Sequence, residues 1–156
     1  MNEGRDLLGN SIGQSTSFFI ACAANPVADD MDREIEKLEK KAEAGTNVIF
    51  TQPIYEMQTL EKFLKRIEHL HIPLMLGILP LRGTKHAEFL HNEVPGMTIP
   101  DGIRDQMRRA GDHGPAVGIE ISRTFLKEAR HLVAGAYMMP PFQKYHIIDE
   151  LLEVIR

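Results

Sequence analysis

The stretch "VIFTQPIY", residues 48–55, decides how this chain is read. Val48, Ile49 and Phe50 are a short apolar run of the kind that fills a buried parallel strand; it turns polar at Thr51-Gln52 and meets Pro53. Glutamine is of little use to a core, so its place at the end of such a strand needs a reason. Three further stretches share the short, apolar, non-alternating character: "SFFIACAA" 17–24, "PLMLGIL" 73–79 and "GAYMM" 135–139. The strand ends read Asn25-Pro26, Thr51-Gln52-Pro53, Leu79-Pro80-Leu81 and Pro140-Pro141-Phe142, and all four contain proline. Proline donates no ladder hydrogen bond and stops a strand sharply, so the repetition marks a common rim.

Each strand pattern is followed by a helical one. Met31, Ile35, Leu38 and Ala42 repeat at helical spacing, with Asp29-Asp30 as N-cap candidates, Lys40-Lys41 in the last turn and Gly45 as the stop. Leu60, Phe63, Leu64 and Ile67 mark a second helix, ended near "HLHIP" because the residue before Pro73 is pushed out of the helical region. The third connection carries shorter pieces, predicted at about 84–91, 101–110 and 115–130. Ile147, Ile148, Leu151, Leu152 and Ile155 predict a terminal helix. "GNSIG" 9–13 reads as a loop before the first strand.

Strand and helix alternating over four units imply an α/β fold with a parallel sheet, since parallel neighbours need a long crossover. A whole (β/α)8 barrel takes about 250 residues, roughly 30 per unit, so this length fits four units with one elaborated loop. The 156 residues therefore form a single domain with no internal linker, either a small doubly wound sheet or half of a barrel with two exposed strand edges.

Composition narrows the function. A hydrophobic share of 43% against 26% charged is that of a globular chain, and a net charge of −4 offers no basic surplus for nucleic acid. The single cysteine, Cys22, excludes an intrachain disulfide and is predicted to be a buried strand residue in a reducing compartment, for which the cytoplasm fits. No apolar run reaches the roughly 18–20 residues that cross a bilayer, and the first ten residues lack the features of a leader peptide. Seven histidines invite metal chemistry, but His69 and His71 fall at a helix end, and His86 and His91 are five apart. No metal site is expected, and most histidines are expected at the surface. Neither G-x-S-x-G nor a glycine-rich phosphate loop occurs.

Ligands of α/β folds bind outside the carboxyl ends of the strands. Gln52 at that rim offers one amide that both donates and accepts. It either satisfies loop backbone or recognises a heterocycle with paired donor and acceptor edges. Asn25 divides in the same way between turn chemistry and ligand contact.

The blocks "ACAANP", "EIEKLEKKAEAGTNVIFTQPIY", "GILPL", "AEFLHNEVPGMTIP" and "YMMPPFQKY" together resemble the second half of the flavin-dependent methylenetetrahydrofolate reductases. The nearest likeness is to the reductase module that some bacteria fuse behind a homocysteine methyltransferase domain. It runs from about Asn2 to Arg156, and its most specific parts are Lys41 to Pro53 and Val94 to Pro100. The resemblance implies the C-terminal half of a (β/α)8 barrel, with FAD held across the strand ends and NAD(P)H as hydride donor. It implies that Gln52 hydrogen-bonds the pterin of the folate, that Asn25, Glu34 and Lys41 contribute to FAD binding, and that Phe89 or Leu90 lies near flavin and nicotinamide. The family's tyrosine and arginine on the last strand have no clean counterpart in "AYMMPPFQKYHI".

In the family the acid that protonates the folate lies at the end of the first barrel strand, and Met1 to Gly4 resemble the point just before the fifth. The chain is therefore expected to be inactive alone, as part of a reductase polypeptide. The alternative is a non-catalytic half-barrel assembly module. Either way, exposed parallel edges and an open apolar wall favour pairing, so a homodimer or higher oligomer is expected.

Overall fold

The computed structural model describes residues 1–154. Four parallel strands, β1 (Ala21–Ala24), β2 (Val48–Thr51), β3 (Leu74–Ile78) and β4 (Gly135–Met138), form one sheet in the order β1-β2-β3-β4. A doubly wound sheet reverses its strand order partway along. This one winds in a single direction and keeps its helices on one face, which is the architecture of a partial (β/α)8 barrel.

The helices are α1 (Met31–Glu43), α2 (Met57–Ile67), α3 (Thr84–Glu93), α4 (Asp101–Ala110), α5 (Gly114–Ala129) and α6 (His146–Leu152). At the start of α1 the Asp30 carboxylate accepts from the Arg33 amide at 3.0 Å, satisfying one of the amides that a first turn leaves unpaired. The helix ends at Gly45, whose φ of +98° is the expected stop. The third connection holds α3, α4 and α5 in succession. Of the residues read as the terminal helix, Ile155 lies outside those described.

Register settles which side chains face the helices. Cys22, Ala24, Ile49, Leu74, Leu76, Ile78, Ala136 and Met138 pack against Ile35 and Leu38 of α1, Leu60 and Phe63 of α2, Phe125 and Leu126 of α5, and Ile147 and Leu151 of α6. A second cluster fills the long connection with Tyr55, Leu81, Ala87, Leu90, Met97, Ile99 and Met107. The seam between the clusters is tight at Gly118, where any Cβ would stand 1.9 Å from the Leu81 carbonyl oxygen.

The opposite, concave face carries Ala21, Ala23, Phe50, Met75, Gly77 and Tyr137, and it is uncovered at the first strand, where both alanines are exposed. Among the described residues the outer edges of β1 and β4 have no partner strand.

Two expectations are corrected here. The first strand is shorter than 17–24, because β2 begins at Val48, opposite Ala21, and leaves residues 17–19 with no strand beside them; asparagine side chains take up backbone groups there. The Asn2 amide bonds both N–H and C=O of Phe18 at 3.0 Å, and Asn47 accepts from the Ile20 amide at 2.8 Å. Phe18 and Phe19 are left 57% and 74% exposed. Cys22 is half-buried rather than buried, as follows from its place on an edge strand.

Candidate functional site

The rim is where the chain gathers chemistry. Gln52 follows directly on β2, and its backbone amide extends the ladder by donating to Ala24 O at 2.8 Å. Its position alternates with Thr51 and so shares the concave side with Phe50. The Gln52 side chain is exposed and has no hydrogen-bond partner among the described residues. An amide with unused donors and acceptors at a strand end is what a ligand contact requires.

The peptide beneath that side chain is firmly held. Thr51 is 1% exposed, its hydroxyl accepts from the Gly77 amide at 3.0 Å, and its carbonyl accepts from the Tyr137 hydroxyl at 2.6 Å. Tyr55 does the same one strand along, donating to Leu79 O at 2.9 Å. Burial raises the pKa of both phenols, so both stay protonated donors at neutral pH.

Asn25, Glu34 and Lys41 lie together around β1 and α1. The Glu34 carboxylate accepts from the Asn25 amide at 2.9 Å, and the Asn25 side chain accepts from Val27 N at 3.1 Å, closing the turn that follows the strand. The Asn25 side-chain amide also faces Gly96, where a Cβ would approach it to 3.0 Å, so the "AANP" and "VPG" blocks meet. The Lys41 ammonium donates to Ala23 O at 2.7 Å, and no carboxylate pairs with it among the described residues.

Phe89 and Leu90 diverge. Leu90 is packed into the second core cluster, whereas Phe89 is 56% exposed and lines an open cavity of about 770 Å³ with Arg82, Lys85, His86 and Phe142. His86 stacks on Phe142 at a centroid distance of 5.3 Å, and its Nδ1 accepts from the Arg82 amide at 3.2 Å. Burial first and the Arg82 cation second hold its pKa below the ordinary 6.5. His91 Nδ1 likewise accepts from Ile99 N at 3.2 Å. These two histidines are half-buried and anchor loops, while the other five, His69, His71, His113, His131 and His146, are exposed, as expected for most of them. His69 pairs with Glu39 at 3.0 Å, and no three potential metal ligands cluster among the described residues.

Sequence reading missed Tyr55, Tyr137 and the His86–Phe142 stack. Thr51 and Tyr137 are 86 positions apart, and only strand register joins them.

Residues 8–139 match the family model described as methylenetetrahydrofolate reductase. Over 96 residues the chain is 29% identical to a Caenorhabditis elegans protein named probable methylenetetrahydrofolate reductase (NADPH), an alignment covering 58% of this chain and 14% of that protein. A solved structure of a protein from Clostridium thermocellum, described as binding two copies of 5-methyl-5,6,7,8-tetrahydrofolic acid, superposes with a TM-score of 0.63 at 16% identity. That superposition covers 88% of this chain and 52% of the clostridial one, and at that identity it shows the fold alone. No helix among the described residues is long and apolar enough to cross a membrane.

Proposed function

This chain belongs to the methylenetetrahydrofolate reductase family, and on that premise we propose that it forms the folate-facing rim of a flavin-dependent reductase converting 5,10-methylenetetrahydrofolate to 5-methyltetrahydrofolate with NAD(P)H. The observation that carries the proposal is Gln52, an exposed, unpaired amide on a rigid strand end inside the matched region. A pterin presents adjacent donors and acceptors that such an amide can satisfy. A site of this kind discriminates against rings lacking that edge, because its own polar groups would then be left unpaired.

FAD, when bound, supplies the hydride relay between nicotinamide and folate. The residues present fit it in one respect: among the described residues Lys41 is a cation without a carboxylate partner, bonded to the outward-facing carbonyl of Ala23, and it would be available to a pyrophosphate. Asn25 would approach the dinucleotide from the turn after β1, with Glu34 holding that turn in place. Phe89 offers an apolar wall near the reacting rings. In this reading Gln52 orients the pterin through a contact the chain already presents, whereas turnover requires further βα units that close the barrel around the open concave face. The apolar residues beside the free edge, Phe18 and Phe19, favour a second reading as an assembly module that pairs with another copy.

In a complete barrel containing this chain, Gln52→Glu is expected to slow folate turnover at least about tenfold more than flavin reduction by the nicotinamide, the order of one well-placed hydrogen bond. Equal loss in both half-reactions would make Gln52 structural. Lys41→Ala should lower the flavin retained after dialysis, and unchanged flavin content would remove Lys41 from the cofactor site. Light scattering tests the assembly reading, for which a mass above 17.6 kDa is expected.

A further inference from the structure

We infer that Tyr137 is a positioning residue for Gln52, its phenol reaching from β4 across β3 to fix the peptide that carries the rim glutamine. The inference rests on reading Gln52 as the folate contact, and it says what aims that side chain.

Gln52 makes no side-chain hydrogen bond among the described residues, so its direction is inherited from its backbone. That backbone is gripped from both sides. The carbonyl of the Thr51–Gln52 peptide accepts from Tyr137 at 2.6 Å, and the N–H of the same peptide donates to Ala24 O at 2.8 Å. Turning this peptide would break a bond to β4 and a bond to β1 together. The Thr51 hydroxyl adds a third tie, to the Gly77 amide of β3 at 3.0 Å. Three strands thus hold this stretch of the fourth, and the side chain left free of them is glutamine.

The clamp exists because of what β3 omits. A Cβ on Gly77 would sit 2.8 Å from both the Thr51 carbonyl oxygen and the Tyr137 hydroxyl, and 3.0 Å from the ring carbon bearing that hydroxyl. Glycine is therefore the residue that lets the tyrosine ring cross the strand. The Phe50 ring packs on Tyr137 at a centroid distance of 5.2 Å and an interplanar angle of 53°, which steadies the ring independently of its hydroxyl. Tyr137→Phe therefore removes the hydrogen bond and leaves the packing.

The test is nuclear magnetic resonance on the intact chain, following backbone amide exchange and the Gln52 side-chain NH₂ resonances during titration with 5-methyltetrahydrofolate. Tyr137→Phe should speed exchange at Gln52 and weaken the folate response, each roughly tenfold, as befits one hydrogen bond. Exchange at Leu76, in the helix-covered core, should not change. Gly77→Ala, whose Cβ would press on both the Thr51 carbonyl and the tyrosine ring, should disturb the same peptide more strongly. Unchanged exchange at Gln52 in Tyr137→Phe would overturn the clamp. Faster exchange with undiminished folate response would overturn the positioning role. If the unmodified chain shows no Gln52 response to saturating folate, the folate reading fails, and the clamp is then decided by exchange alone.

Discussion

Met75 and Leu76 are neighbours on β3 that face opposite sides of one sheet. Leu76 is fully buried among helices, while Met75 sits half-buried on the concave side with Phe50 and Tyr137. Across the sheet the contrast recurs: Ile49 is 0% exposed, whereas Ala21 and Ala23 are open. The helical face is finished by the chain's own α1, α2, α5 and α6. The concave face is built from apolar side chains yet remains uncovered at one edge, and its rim carries the Gln52 side-chain amide, which has no hydrogen-bond partner among the described residues. On the proposed reading, stability and function are divided between the two faces of the same four strands.

The sharpest way to break this division is to truncate both neighbours. Leu76→Ala should cost about 3 kcal/mol in urea unfolding, the range for a large side chain lost from a closed core. Met75→Ala should cost about 1 kcal/mol or less, because its side chain is already partly open to solvent. Equal costs would mean that both faces are core. Gln52→Glu should change stability by no more than about 0.5 kcal/mol, as for an exposed residue with no partner, so any loss of folate binding would be local.

The smallest expected effect concerns pH. His86 has a depressed pKa, so the folded chain binds fewer protons than the unfolded chain between the folded value and 6.5. Its contribution is complete above 6.5 and declines as pH falls through the folded value. The imidazole should titrate below 6.5, with the Phe142 ring shifting at the same midpoint. A midpoint at or above 6.5 would contradict burial by Phe142.

Much of the fold could be read from periodicity and punctuation. Met31, Ile35 and Leu38 announced α1, Asp30 and Gly45 marked its ends, and the prolines after each strand marked the rim. Strand length at the edge was not legible, because "SFFI" has the composition of a strand but β2 starts too late, at Val48 opposite Ala21, to pair with it. Gln52 stood out as a polar residue closing an apolar run. The support beneath it did not, since Gly77 and Tyr137 acquire their role only when β2, β3 and β4 lie side by side. The split between Phe89 and Leu90 was equally hidden, because α3 must dock before one becomes core and the other cavity wall.

The most direct measurement is calorimetric titration of the chain with 5-methyltetrahydrofolate, comparing the unmodified protein with Gln52→Glu. Saturable binding that is lost, or weakened at least about tenfold, in the variant is the result expected of a pterin contact at the rim. Equal affinity in the two proteins would contradict that role and leave Gln52 as a solvent-exposed strand end.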